Sequence, residues 1–170
     1  MPDPSQDKLH KQHDKLFKTV FSDPEEAASF FKSYLPAPLV AQIDWASLHL
    51  TDKEYVDEAF QATESDLLYQ AQLQGSNQRV MIYLLFEHQS DPSKWIRFRL
   101  LKYCCRIWDD SFKAFPDQQK LKPILPIVFY QGERTWNFST EFQELIETDG
   151  LDSNYLPRFT HFLIDQSGFG

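Results

Sequence analysis

The chain has 170 residues and a mass of 20.1 kDa, room for a single domain. With 42% hydrophobic and 25% charged residues, and fifteen Phe to fill a core, it is globular and not a disordered segment. A net charge of −8 excludes a globally basic nucleic-acid coat, and no apolar run approaches the roughly 20 residues that span a bilayer. The two cysteines, Cys104 and Cys105, are adjacent, which excludes a disulfide scaffold and a structural zinc site. The stretch Met1–Lys8 is polar and reads as no secretory leader, so a soluble, cytoplasmic protein is expected.

The charge is unevenly spread. Residues 1–20 carry +1, 21–66 carry −8, 67–106 carry +4 and 107–170 carry −5. A polyanion responds to local potential, so the basic block is where one would dock.

Residues 7–21 predict a helix with Leu9, Leu16, Phe17, Val20 and Phe21 as its apolar set and four lysines along another face. A second helix starts at Asp23 as N-cap, with Pro24 in the first turn and Glu26 completing a capping box, and stops at Pro36. Residues 38–45 suggest a short helical turn, and Ser47–Leu50 a weak strand before the acidic run TDKEYVDE. DLLYQAQL (66–73) and VMIYLLFEHQ (80–89) read as strands joined by the turn residues QGSNQR. The second is almost continuously apolar, the pattern of a central strand buried on both faces. Asp91-Pro92 opens a long helix through Phe112, followed by a buried strand ILPIVFY (124–130), a helix over 138–147 and a last strand FTHFLID (159–165). This order predicts an α/β domain with a mixed central β-sheet flanked by helices. The abrupt end after the last strand suggests that a longer natural protein continues beyond it.

Carboxylates meet the apolar strands at one end of the hairpin. Pairing Gln74 with Arg79 puts Asp66 directly opposite Glu87, with Gln89 on the same face two residues further on. Two buried carboxylates at that distance repel, and sharing a proton or a cation relieves the conflict. An oxygen-only site of Asp66, Glu87 and an amide suits Mg²⁺ or Mn²⁺, which can polarise a phosphoryl oxygen and lower the pKa of a bound water. On the following helix, Arg99, Lys102 and Arg106 are spaced i, i+3, i+7, with Lys94 and Arg97 flanking, a stripe that can hold phosphates without reading sequence.

SDLLY (65–69), LLFEHQS (84–90), ILPIVFYQGE (124–133) and HDKLFK (13–18) together resemble the recombination-promoting nuclease family of transposase-like proteins, within the PD-(D/E)XK nuclease superfamily. The likeness runs from His13 to Asp165. It implies a single nuclease-like domain over residues 1–170, a restriction-endonuclease-like PD-(D/E)XK core, and metal-dependent cleavage of DNA phosphodiesters with little sequence specificity. Carried over, Asp66 and Glu87 are the metal-binding acids, and Gln89 stands where the superfamily usually has Lys. Asp14 matches an additional acidic residue of the first helix. A neutral amide supplies no positive charge, so Lys18 or Lys102 is expected to assist.

Each residue also has a structural reading. Asp66 and Glu87 could be strand-end carboxylates ion-paired to Arg97; His13 and Asp14 could hold the first helix; His88 could be a packed histidine. Tyr130 and Gln131 suit either a site-lining turn or a structural one, and Asp165 ends a strand within reach. Cys104, Cys105 and the Phe-rich helices read as core. The rival functions are a catalytically silent DNA-binding or assembly module, and a hydrolase of another phosphorylated substrate. The expected partner is double-stranded DNA, with no membrane and a homodimer as an admissible assembly.

Overall fold

The computed structural model describes residues 3–51, 66–87 and 92–168. Gln89, His88, Asp91 and the acidic run after Thr51 lie outside the described residues. Three helices come first: α1 (Pro4–Phe21), α2 (Pro24–Tyr34) and α3 (Ala37–Gln42). Asp23 caps α2 as its sequence demands, accepting a hydrogen bond from the Glu25 amide at 3.0 Å. Strands β1 (Ile43–Leu50), β2 (Asp66–Leu73) and β3 (Arg79–Glu87) follow, then α4 (Ile96–Ala114), β4 (Ile124–Tyr130) and β5 (Phe162–Asp165). The five strands lie in chain order in one sheet; β2 pairs antiparallel with both β1 and β3, whereas β3, β4 and β5 run parallel. The mixed α/β architecture thus matches the sequence expectation.

Strand β3 is the hinge between the two halves and is buried on both faces. Ile82, Leu84 and Phe86 face α1 and α2, where Phe17 stacks on Phe86 at 4.3 Å between centroids. Met81, Tyr83 and Leu85 face α4, whose Ile96, Leu100 and Ile107 cover them. Alternation along one strand therefore separates two cores. Pro126 is tolerated inside β4 because of the same alternation. Odd-numbered β4 residues bond to β3, so the missing N–H of Pro126 points towards β5, which pairs only from Ile127 onward.

Three expectations need correction. Residues 43–45, expected in the helical turn, instead open β1, where Ile43 pairs with Leu73 and Asp44 with Gln72. The segment 138–147 forms only a 3₁₀ turn at Phe142–Leu145, because Glu141 bridges Thr160 and Phe142 stacks on Phe159. The hairpin closes between Leu73 and Gln78, with Gly75 at φ 67° in the loop, so Asp66 lies opposite Leu85 and not Glu87. The slip is two residues. An even slip keeps both carboxylates on the α4 face and moves Glu87 one rung along, to a diagonal position where Cβ atoms lie about 7–8 Å apart.

Candidate active site

Asp66 opens β2 and Glu87 closes β3, at the end of the sheet where the parallel strands terminate. Both belong to the face covered by α4. The Tyr83 hydroxyl donates a short hydrogen bond to Asp66 Oδ2. Tyr83 lies on β3 two positions before Leu85, the residue opposite Asp66, and its ring sits 5.7 Å from that of Tyr103 on α4. Burial pushes the Tyr83 phenol well above its ordinary pKa. The charge of Asp66 and the hydrogen bond to it, together with Tyr103, push the same way, against an opposing effect of Arg99. The phenol therefore stays protonated and remains a donor to Asp66.

Glu87 is held from the helix. Arg99 Nη1 lies 3.5 Å from Glu87 Oε2, with the arginine side chain 32% exposed and the carboxylate 12%. The Arg99 guanidinium also sits 5.9 Å from the Tyr103 ring centroid. The structural partner of Glu87 is thus Arg99 and not Arg97. Arg97 is 4% exposed, and its guanidinium donates to the Lys94 carbonyl at 3.2 Å and the Glu141 carbonyl at 2.7 Å. It fastens α4 to the 141 turn and is withdrawn from the surface. Lys94, Lys102 and Arg106 are exposed, with Arg99 beside them half-buried.

The remaining candidates are dispersed. Tyr130 pairs with Glu87 in the parallel register and is fully buried, with its hydroxyl on the Arg134 carbonyl at 2.6 Å. The Gln131 amide bonds the Glu87 carbonyl at 2.9 Å, so its backbone borders the site. Asp165 follows in the same row beyond Tyr130, two strand spacings from Glu87, or about 9–10 Å. Its carboxylate accepts from the Ser167 amide at 2.9 Å and the Trp136 amide at 3.4 Å. It is a loop cap. His13, Asp14 and Lys18 belong to α1, which packs through Phe17 on the opposite side of the sheet from Asp66 and Glu87. The sheet separates that helix's layer from the carboxylates, and the Asp14 side chain lies outside the described atoms. Cys104 is buried but Cys105 is exposed, so only the first is core.

Sequence reasoning missed Tyr83 and Arg99 as the groups that hold the two acids. The signal was parity: a lone tyrosine in an aliphatic strand, four residues before Glu87 and on its face. It also missed His161, which is 1% exposed beside Trp136, at 6.5 Å between ring centroids. Among the described residues no group of three or more His, Cys, Asp or Glu side chains is arranged to hold a metal ion. Nor is any helix among them long and apolar enough to cross a membrane.

Comparison with known proteins places this geometry in a family. Residues 11–169 match the family described as "Putative transposase, YhgA-like". The chain is 34% identical over 123 residues to recombination-promoting nuclease RpnC of Escherichia coli K12, covering 72% of this chain and 40% of that protein. Recombination-promoting nuclease RpnA of the same strain is 33% identical over 121 residues, covering 71% and 40%. The inactive recombination-promoting nuclease-like protein RpnE, also of that strain, is 31% identical over 121 residues, covering 71% and 39%. The chain thus spans about two fifths of the length of these relatives. No solved structure matches it significantly. With the match running through both carboxylates and all five strands, the chain belongs to the YhgA-like transposase family and is related to the recombination-promoting nucleases.

Proposed function

We propose that the chain is the catalytic part of a Mg²⁺- or Mn²⁺-dependent DNA endonuclease with a PD-(D/E)XK-like core, acting on phosphodiesters with little sequence preference. The observation that carries the reading is the meeting of Asp66 and Glu87 on one sheet face, at the end of the parallel strands, in a chain whose relatives are named nucleases. The donor set fits a hard cation. Both acids offer only oxygen, the longer Glu87 side chain would have to reach across the diagonal offset, and water would fill the remaining positions. A bound divalent ion would supply a polarised phosphoryl oxygen and a more acidic water. Asp66 and Glu87 would hold it, and Tyr83 would fix the Asp66 carboxylate. Lys102 and Arg106 on α4 would hold the DNA backbone, with Arg99 between them and the acids; Gln89 keeps its proposed role of orienting water.

A second reading is favoured by the relatives RpnE and the putative inactive recombination-promoting nuclease-like protein YjiP of Escherichia coli K12, the latter 36% identical over 91 residues. It makes the chain a silent DNA-binding module on the same fold. Incubating supercoiled plasmid with the protein and Mg²⁺ or Mn²⁺, beside Asp66→Ala, separates the two. Nicking abolished by the substitution supports the nuclease. Binding by both proteins with cleavage by neither supports the module.

A further inference from the structure

The start of α4 exposes two large aromatic rings, Trp95 at 56% and Phe98 at 48%. They are three residues apart, so they lie on one side of the helix, and Lys102 and Arg106 continue that side one and two turns further. Lysines attend both rings: Lys94 Nζ is 5.1 Å from the Trp95 centroid and Lys102 Nζ is 5.1 Å from the Phe98 centroid. Arg99, one residue past Phe98, carries the ion pair to Glu87. The stripe therefore starts with aromatic faces, continues as cations, and borders the carboxylates.

Two neighbouring exposed rings on a helix side otherwise lined with cations form an apolar patch set among positive charges. Nucleic-acid bases remove it from water by stacking, provided they are outside a duplex, where neighbouring base pairs already cover each base's faces. A lysine over one face of a ring leaves the other face for a base and places a cation beside the phosphate that follows. Resting on the nuclease reading above, we propose that Trp95 and Phe98 form a stacking platform for unpaired bases. The substrate of the Asp66/Glu87 site is then DNA with single-stranded character next to the scissile phosphate: a single strand, a bubble or a frayed end. The charge around the rings favours this polyanion over a protein surface as the occupant.

The test uses the Asp66→Ala chain without added metal, so that binding is read apart from cleavage. Fluorescence anisotropy compares a labelled 20-nucleotide single strand with its duplex. The expected result is tighter binding of the single strand, reduced about tenfold by Trp95→Ala with Phe98→Ala and restored by Trp95→Phe with Phe98→Tyr. Duplex affinity should change less than about twofold in the aromatic variants, whereas Lys102→Gln with Arg106→Gln should weaken both ligands. Single-strand binding indifferent to the double alanine variant overturns the platform, even if the wild-type chain cuts plasmid. Absence of detectable binding by both the single strand and the duplex also overturns it. Aromatic-dependent binding by a wild-type chain that cuts nothing sustains the platform and refutes the nuclease reading instead.

Discussion

His161 gives the protein an acid-sensitive point whose size can be worked out. Its imidazole is 1% exposed, and among the described residues neither ring nitrogen has a hydrogen-bond partner. Burial lowers its pKa from 6.5 to about 4; the Arg97 charge acts in the same direction, and the nearby Thr140 carbonyl opposes weakly. The folded protein therefore holds His161 neutral, while the unfolded chain takes up a proton near pH 6.5. The stabilising contribution is complete above pH 6.5 and is lost as the pH falls from there through 4. A displacement from 6.5 to about 4 corresponds to roughly 3 kcal/mol, of which about 2 kcal/mol is gone by pH 5. Urea unfolding of the wild type and of His161→Leu at pH 7.5, 6.5, 5.5 and 4.5 isolates this from the carboxylates that titrate in both proteins. Between pH 7.5 and 4.5 the stability difference between them should move by about 2.5 kcal/mol in favour of the leucine variant. A difference independent of pH would refute the reasoning.

The other two perturbations concern Tyr83, which holds Asp66, and Arg97, which fastens α4 to the 141 turn. Tyr83→Phe keeps the ring beside Tyr103 but removes the donor to Asp66, a hydrogen bond to a charged group worth about 2 kcal/mol. An unchanged urea midpoint at pH 7 would show that the bond contributes nothing. Arg97→Met strips the Lys94 and Glu141 carbonyls of their donor and should cost about 2–3 kcal/mol. By removing a neighbouring cation it should also let His161 protonate at higher pH, which proton NMR titration reads directly.

The strands β2 and β4 were legible residue for residue, since short apolar runs between turn signals leave little choice. The cap of α2 was equally clear, because Asp23 and Pro24 act locally. What depended on distant partners was not legible. The apolar set of α1 divides: Phe17 goes into the core, while Leu9, Leu16 and Val20 are exposed, and only the position of Phe86 and Phe129 decides which. Closing the hairpin at Gln74–Arg79 or at Leu73–Gln78 leaves a four-residue loop either way, so loop length could not settle the register; the closure adopted puts left-handed Gly75 second in the loop. The face of the two acids survived that error because parity is insensitive to an even slip. The stripe on α4 was read for its charges alone, and the blanket reading of the Phe-rich helices as core does not hold for Phe98, which the helix turns outward.

Arg99 and a cation would compete for the same carboxylate oxygen. On the nuclease reading, a divalent ion taking Glu87 Oε2 would displace a guanidinium whose contact, with one member a third exposed, resists by no more than about 1 kcal/mol. The side chain so released would remain beside the carboxylates, available to an anionic strand, so ion occupancy and grip on that strand would rise together.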